Sequence, residues 1–284
     1  MLQTLRTELD SGVYTIVLNR PKEYNAITPT LRDELAAAID AANADDNAHV
    51  ILLRAEGPAF CGGYDLGWST EYQAHEESPR RLWDSVADYT MMSRFVDTYM
   101  KLWYSHKPTI AAVQGWCIGG GTDMVLCADI IVAADNAVFG YPPARVWGTP
   151  TTAMWVYRMG LERAKRYLLT GDEIPAAVAV EIGLILEVVP EKQLLEQALS
   201  LAQRMAKVPI NQLIMLKLLC NQTVENMGMA TSRTLGTLFD GIARHTQEGH
   251  DFIERTQSLG WRNAIRERDN PFGDYGSRPK NNND

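Results

Sequence analysis

The fold class this sequence predicts is α/β with a helical C-terminal region, and three observations predict it. Short β-rich runs alternate with helical patterns through the first two thirds of the chain, two glycine-rich stretches follow directly on strand-like segments, and beyond about residue 190 the apolar spacing turns wholly helical. With 284 residues, 46% of them hydrophobic, the chain can build one large core or one core with an appendage. We divide it at residues 1–205 and 206–284.

The runs YTIVLN (14–19) and HVILLR (49–54) read as strands. Between them Leu31, Leu35, Ile39 and Ala42 recur at near-helical spacing, with Thr28 as N-cap and Pro29 as first helical residue. TIAAVQ (109–114) and ADIIVAA (128–134) are the next strands, so the pattern implies βα units around parallel strands. STEYQAHEESPRR (69–81) is the one long polar interruption, and two readings stand: a mobile loop over a site, or a plain solvated loop. Later, Leu194, Ala198, Leu201 and Met205 make one apolar helix face and NQLIMLKLLC makes a second apolar stretch, which covers the main core or a neighbouring subunit. The tail NPFGDYGSRPKNNND is rich in Pro, Gly and Asn, and its end is expected to fray.

The net charge of −8 argues against a nucleic-acid surface, which needs clustered Lys and Arg. No stretch approaches the roughly 20 apolar residues of a membrane span, and the N-terminus lacks a basic segment followed by an apolar run, so the expected compartment is the cytoplasm. Cys61, Cys117, Cys127 and Cys220 form no CxxC pair and read as reduced core thiols rather than a zinc site.

The chemistry is carried by GPAFCGGYDLGW (57–68) and GWCIGGGTDMVL (115–126). Neither has the spacing of a Walker loop or a dinucleotide fingerprint. Both put bare backbone where a strand ends, the region where α/β sheets bind ligands. Two such loops facing one another can aim two backbone N–H donors at one oxygen, an oxyanion hole, and a helix starting near Gly120 adds its positive dipole end. The alternative is that the glycines only make tight turns and close helix–strand contacts.

These residues also carry a family resemblance. LNRPKEYNAITPTLRDEL, GPAFCGGYDL, KPTIAAVQGWCIGGGTDMVLCADIIVAADNAVFGYP and LLTGDEIPAAVAVEIGLILEVVP stand in the order and spacing of the crotonase superfamily of enoyl-CoA hydratases and isomerases, over roughly residues 10 to 210. The resemblance implies a spiral of ββα turns with a helical C-terminal trimerisation region, a homo-trimer or homo-hexamer, and an acyl-CoA thioester as substrate. It implies no metal or redox cofactor, since coenzyme A is part of the substrate. Carried over, it assigns the backbone N–H groups of Tyr64, after Gly63, and of Gly120 to the thioester oxygen. It lays the segment from Ala59 through Gly63, Tyr64 and Asp65 to Leu66 beside the CoA arm, with the Tyr64 ring narrowing the acyl pocket.

The sequence departs from the pattern at both acidic positions. Family hydratases carry two glutamates that together activate water; here the first is Asp123 and the second falls on Pro143, which has no titratable group. Aspartate sets its carboxylate back by roughly 1.5 Å, whereas a general base works at about 2.6 to 3.2 Å. A misplacement of about 1 Å costs up to about 10²-fold. Asp123 therefore has two compatible readings: a lone acid/base, or an acidic residue favoured in the first turn of a helix. The expected activity is of the enoyl-CoA hydratase/isomerase type, with two-carboxylate hydration weak or absent. Isomerisation, hydrolysis, decarboxylation or carbon–carbon cleavage on the same enolate scaffold, or a catalytically reduced acyl-CoA-binding subunit, are the alternatives.

Other groups have assigned expectations. Tyr141 presents a phenol near the thioester or packs at the pocket edge. Arg145 pairs with a CoA phosphate, a substrate carboxylate or a surface acid. His106 is structural, and Asp65 fixes the oxyanion loop by local backbone hydrogen bonds. Trp68, Trp116, Trp147 and Trp155 either shape a pocket for a bulky acyl group or belong to the core.

Overall fold

The computed structural model describes residues 2–69 and 84–275. Its elements, in chain order, are β1 (Leu5–Asp10), β2 (Val13–Leu18), α1 (Pro29–Ala44), β3 (Val50–Ala55), β4 (Ala59–Cys61), α2 (Ser85–Tyr104), β5 (Thr109–Val113), β6 (Trp116–Ile118) and α3 (Gly120–Val125). Then come β7 (Ile130–Ala134), β8 (Val138–Gly140), α4 (Met154–Met159), α5 (Leu161–Leu168), β9 (Ile174–Pro175), α6 (Ala176–Glu181) and β10 (Glu187–Val189). The C-terminal helices are α7 (Leu194–Ala206), α8 (Ile210–Glu225), α9 (Met229–Arg244), α10 (Gln247–Leu259) and α11 (Trp261–Asp269).

Two sheets form, in the orders β1-β2-β3-β5-β7-β10 and β4-β6-β8-β9. The large sheet is parallel except at β1, and in the small one β4, β6 and β8 run parallel while β9 is antiparallel. Consecutive strands alternate between the sheets: β3 is followed by β4, β5 by β6, and β7 by β8, each pair turning a sharp corner. This is the expected spiral of ββα turns. Polar side chains hold the corners, where backbone groups would otherwise be buried without acceptors or donors. Asn25 is fully buried and donates to the carbonyls of Glu56 and Ala59, both at 2.9 Å, while Gln114 donates to those of Ala55 and Gly57.

Strand alternation builds two apolar layers. Ile16, Leu18, Ile51, Leu53, Ala111, Val113, Ile131 and Ala133 face a large core shared with α1 and α2. Val13, Val50, Leu52, Ile110, Ala112 and Val132 face the other way, onto Leu194, Ala198 and Ala202 of α7. Apolar residues on both faces are what a buried parallel sheet requires. Helix α1 starts as expected, with Pro29 in its first turn and the Thr28 hydroxyl accepting from the Leu31 N–H.

The C-terminal helices divide between two tasks. Helices α10 and α11 fold back on their own chain, where Phe252, Ile253 and Ala264 enclose Trp147 with Leu66 at the edge. Helix α8 buries Leu213 and Lys217 but leaves Met215, Leu216, Leu218 and Leu219 between 49% and 69% exposed. Lys217 sits in a buried polar socket, its Nζ donating to the carbonyls of Leu102 and Lys107 and pairing with Asp129 at 2.8 Å. Burial lowers the Lys217 pKa against the pull of Asp129. One expectation needs correction here. Cys61, Cys117 and Cys127 are core thiols, but Cys220 is exposed, because the α8 face on which it lies points away from the core.

The polar stretch 69–81 falls, apart from Ser69, outside the described residues. So does the tail beyond residue 275, although Asp274 and Tyr275 before it are firmly tied to the core.

Candidate active site

Two loop ends meet where β4 and β6 stop. Ile27 and Tyr64 form a parallel bridge in which the Ile27 N–H donates to the Gly63 carbonyl and the Asp65 N–H to the Ile27 carbonyl. That register turns the N–H of the intervening Tyr64 away from Ile27, toward the other loop. On that side Gly120 opens α3, so its N–H belongs to the first turn and has no acceptor within the helix. The loops approach at their glycines. Gly63 has φ +93°, and a Cβ on it would lie 3.2 Å from the Ile118 carbonyl oxygen and 3.9 Å from the Gly120 nitrogen. The two glycine-rich loops thus touch at Gly63 and Gly120.

The Tyr64 ring lies across this junction. A Cβ on Gly120 would fall 2.7 Å from its Cε2, so Gly120 is the residue that admits the ring. Phe95 of α2 meets the ring edge-on at 5.3 Å, and the Tyr99 hydroxyl donates to the Tyr64 hydroxyl at 3.1 Å. Burial pushes both phenols well above the ordinary tyrosine range. Asp65 holds the loop behind them, accepting from the Trp68 N–H and pairing with Arg20 at 3.4 Å.

Asp123 is fully buried one turn into α3. Its Oδ2 accepts two hydrogen bonds from Thr151, at 3.0 Å from the backbone N–H and 2.9 Å from the hydroxyl. Its carboxylate is therefore bonded to a remote loop rather than to the start of its own helix. Oδ1 makes no close hydrogen bond within the protein, although the buried Trp155 indole N–H lies near enough to favour the charged carboxylate. Burial raises the Asp123 carboxyl to about 7, with Asp240 adding to the rise and Thr151 and Trp155 opposing it. A carboxyl poised there can both give and take a proton near neutral pH.

Pro143 stands beside this junction. It lies in the turn Pro142–Arg145, and a Cβ on Gly119 would come 3.6 Å from its Cγ. Where a second acid is expected there is only a hydrocarbon ring. Tyr141 is buried, and its hydroxyl donates to the Thr149 carbonyl at 2.7 Å, the same loop that holds Asp123. Ala59 has a scaffold position, paired in β4 and bonded to Asn25, and Leu66 packs against Trp147.

Arg145 pairs with acidic residues, as one of its readings expected, but in the interior rather than at the surface. Its side chain is 2% exposed and is held by Asp269 at 3.0 Å and Asp274 at 2.7 Å, with the Phe272 ring stacked on it at 3.9 Å. Those two carboxylates raise its pKa in spite of its burial. It is a buried anchor for the chain end, a part its sequence neighbourhood did not signal. Trp155 is fully buried near Asp123, Trp147 is core, and Trp68 tilts against Phe95. His106 is exposed, with its backbone N–H on Asn43.

A third carboxylate, missed by the sequence reading, stands on the far side of the 148–152 loop. Asp240 of α9 is 6% exposed and pairs with Arg244, which in turn grips Asp88 of α2 at 2.7 and 2.8 Å. The available signal was an Asp–Arg pair four residues apart on a helix whose other residues, Arg233 aside, are apolar, small or hydroxyl-bearing. Among the described residues no group of three or more His, Cys, Asp or Glu is placed to hold a metal, and no helix is long and apolar enough to cross a membrane.

Comparison with known proteins fits this geometry. The family model described as enoyl-CoA hydratase/isomerase matches residues 8–262. The hydroxycinnamoyl-CoA hydratase-lyase of Pseudomonas fluorescens is 30% identical over 207 residues, 72% of this chain and 72% of its own length. The 2,3-dehydroadipyl-CoA hydratase of Escherichia coli is 30% identical over 251 residues, 85% of this chain and 90% of its own. A crystal structure of an enoyl-CoA hydratase from Mycobacterium smegmatis shares 44% identity and superposes with a TM-score of 0.93, covering 99% of this chain and 98% of that one. With the two-sheet spiral, the paired glycine loops and a match over nearly the whole chain, this protein belongs to the enoyl-CoA hydratase/isomerase family.

Proposed function

We propose that the protein binds an acyl-CoA thioester, polarises its carbonyl between the backbone N–H groups of Tyr64 and Gly120, and moves a proton on the resulting enolate with Asp123 alone. The reaction this supports best is double-bond isomerisation of an enoyl-CoA. The observation that carries it is a single buried carboxyl at about 7 with Pro143 in place of a second acid.

Isomerisation removes a proton from one carbon of the acyl chain and returns one to another. One carboxylate can do both in turn, provided its pKa lies near the working pH. Negative charge gathers on the thioester oxygen meanwhile, where fixed backbone donors stabilise it at no reorganisation cost. Hydration needs in addition a bound water and a second group to activate it, and the Pro143 ring is neither donor nor acceptor. The full burial of Asp123 also disfavours entry of water. Thr151 fixes Oδ2, which leaves Oδ1 as the oxygen that exchanges the proton.

The Tyr64 ring narrows the acyl end of this site, and the exposed apolar rows of α8 and α9, among them Leu218, Leu219, Leu238 and Phe239, support a homo-oligomer such as a trimer or hexamer. The test is a panel of 2-enoyl and 3-enoyl thioesters, including crotonyl-CoA and a bulky aromatic or alicyclic enoyl-CoA, assayed in D2O with wild type and Asp123→Asn. Double-bond migration with deuterium incorporation, lost in the variant, is the expected result. Hydration as the main product, or turnover indifferent to the substitution, overturns it. Tight acyl-CoA binding with no turnover across the panel replaces it with a binding subunit.

A further inference from the structure

We propose that Asp240, clamped by Arg244 and Asp88, is a positioning residue for Asp123, fixing the 148–152 loop from behind and supplying a standing negative charge to the site. The inference deepens the single-carboxyl reading above and rests on it for its catalytic meaning. Its grounds are geometric and independent of that reading.

The loop from Gly148 to Thr152 has two sides. One side holds Asp123 through the Thr151 N–H and hydroxyl. The other side is fastened to α9: the Thr149 hydroxyl donates to the Gly236 carbonyl at 3.1 Å, and the Thr149 backbone N–H lies near enough to the Asp240 carboxylate to favour its charged form. Gly148 lies so close that a Cβ on it would be 3.6 Å from Asp240 Oδ1. Moving Asp240 therefore moves the donors that hold the acid.

Asp240 is itself held from two helices. Arg244, one turn on, bonds its Oδ2 through Nη1 and gives Nη2 to both oxygens of Asp88. All three side chains are buried, so the cluster is one cation between two anions, with a net charge of −1 in low-dielectric surroundings. An isolated buried charge would be costly; this one is retained because each member is hydrogen-bonded.

That charge is felt at the site. The groups coupled electrically to Asp123 are Asp240 of α9, Tyr64 of the loop after β4, Tyr99 of α2, Tyr141 before the Pro142–Arg145 turn and Cys127 just past α3. Burial holds the three phenols and the thiol in their neutral forms; it raises the Asp240 carboxyl as well, but the ion pair with Arg244 opposes that rise and favours the charged form, through which Asp240 acts on Asp123. Arg244 reaches Tyr64 and Tyr141 and moderates it. Loss of the Asp240 charge makes Asp123 easier to ionise.

The experiment follows Asp123 by infrared spectroscopy, identifying its protonated C=O band as the one absent in Asp123→Asn and titrating that band in wild type, Asp240→Asn and Asp240→Glu. In Asp240→Asn, where Arg244 keeps Asp88, the midpoint is expected to fall by about one pH unit. The low-pH limb of kcat/KM should fall with it, while KM for a turned-over acyl-CoA stays within about twofold. In Asp240→Glu the charge stays and the loop shifts, so the midpoint holds while kcat drops about tenfold. An unmoved midpoint in a folded Asp240→Asn overturns the proposal. Should that variant not fold, Asp240→Glu decides alone, and wild-type kcat there overturns it. The infrared midpoint needs no turnover, so an inactive wild type would defeat the isomerase reading and leave the Asp240 result standing.

Discussion

Thr151 gives both its backbone N–H and its hydroxyl to one oxygen of Asp123, and the other oxygen of that buried carboxyl makes no close hydrogen bond within the protein. The carboxyl is thereby aimed as well as held. On the proposed mechanism, Thr151 holds Oδ2 and the proton is exchanged at Oδ1.

Removal of a carbon-bound proton needs the carboxylate form. With its carboxyl at about 7, kcat/KM should fall about tenfold per pH unit below that value and level off above it. Asp123→Asn should lose at least about 10²-fold above pH 7 and abolish the limb, so that the deficit shrinks as pH falls. A pH–rate profile with the best enoyl-CoA of the panel checks both statements.

The same group should make the protein less stable as pH rises. In the unfolded chain an aspartate titrates near 4, and in the folded protein Asp123 holds its proton to about 7. Below pH 4 both states are protonated and the group contributes nothing. Between 4 and 7 the unfolded state alone ionises, and above 7 the full penalty of about 4 kcal/mol applies. Relative to wild type, Asp123→Asn should therefore gain stability steadily from pH 4 to pH 8, as read by urea unfolding at fixed ionic strength.

Tyr64→Ala should separate the backbone donor from the ring above it. The N–H stays, so the oxyanion position is kept, while loss of the contacts with Phe95 and Tyr99 costs about 2 kcal/mol of stability. The vacated volume should raise kcat/KM for a bulky enoyl-CoA about tenfold relative to crotonyl-CoA. An unchanged ratio would show that the ring does not border the acyl group.

Arg145→Met should leave Asp274 without its counter-charge and Asp269 with Arg268 alone. A buried ion pair broken on one side costs about 3 kcal/mol or more. The chain end should then become the first site of proteolytic cleavage, detectable by mass spectrometry of brief digests.

Leu219→Glu puts a charge into the exposed apolar row of α8, where Leu219 is 69% exposed. If that row is an oligomer contact, sedimentation velocity should show a smaller assembly than wild type with unchanged helix content. An identical sedimentation coefficient would remove α8 from the interface.

The strands, the Thr28 cap and the two glycine loops were legible because each is written in neighbouring residues: alternation, an N-cap followed by proline, glycines after a strand. The same locality explains what was not legible. Asp123 and Thr151 are 28 residues apart, and nothing in the composition of TPTTAM marks it as the loop that holds an acid. Asp88 and Arg244 lie 156 residues apart and meet only because α9 packs against α2. Lys217 lies within the stretch NQLIMLKLLC, which reads simply as apolar, and only the fold shows carbonyls converging on it. Pro143 was the exception, since a missing function is visible in a single letter.

The Arg145 anchor has a consequence for how the protein comes into being. The turn Pro142–Arg145 is held by Asp269 and Asp274, which follow Arg145 by 124 and 129 residues. Domains begin to fold during synthesis from the N-terminal side. Here the spiral can assemble before those acids are made, and until then Arg145 has only Asp172 and the Thr170 carbonyl to hold it.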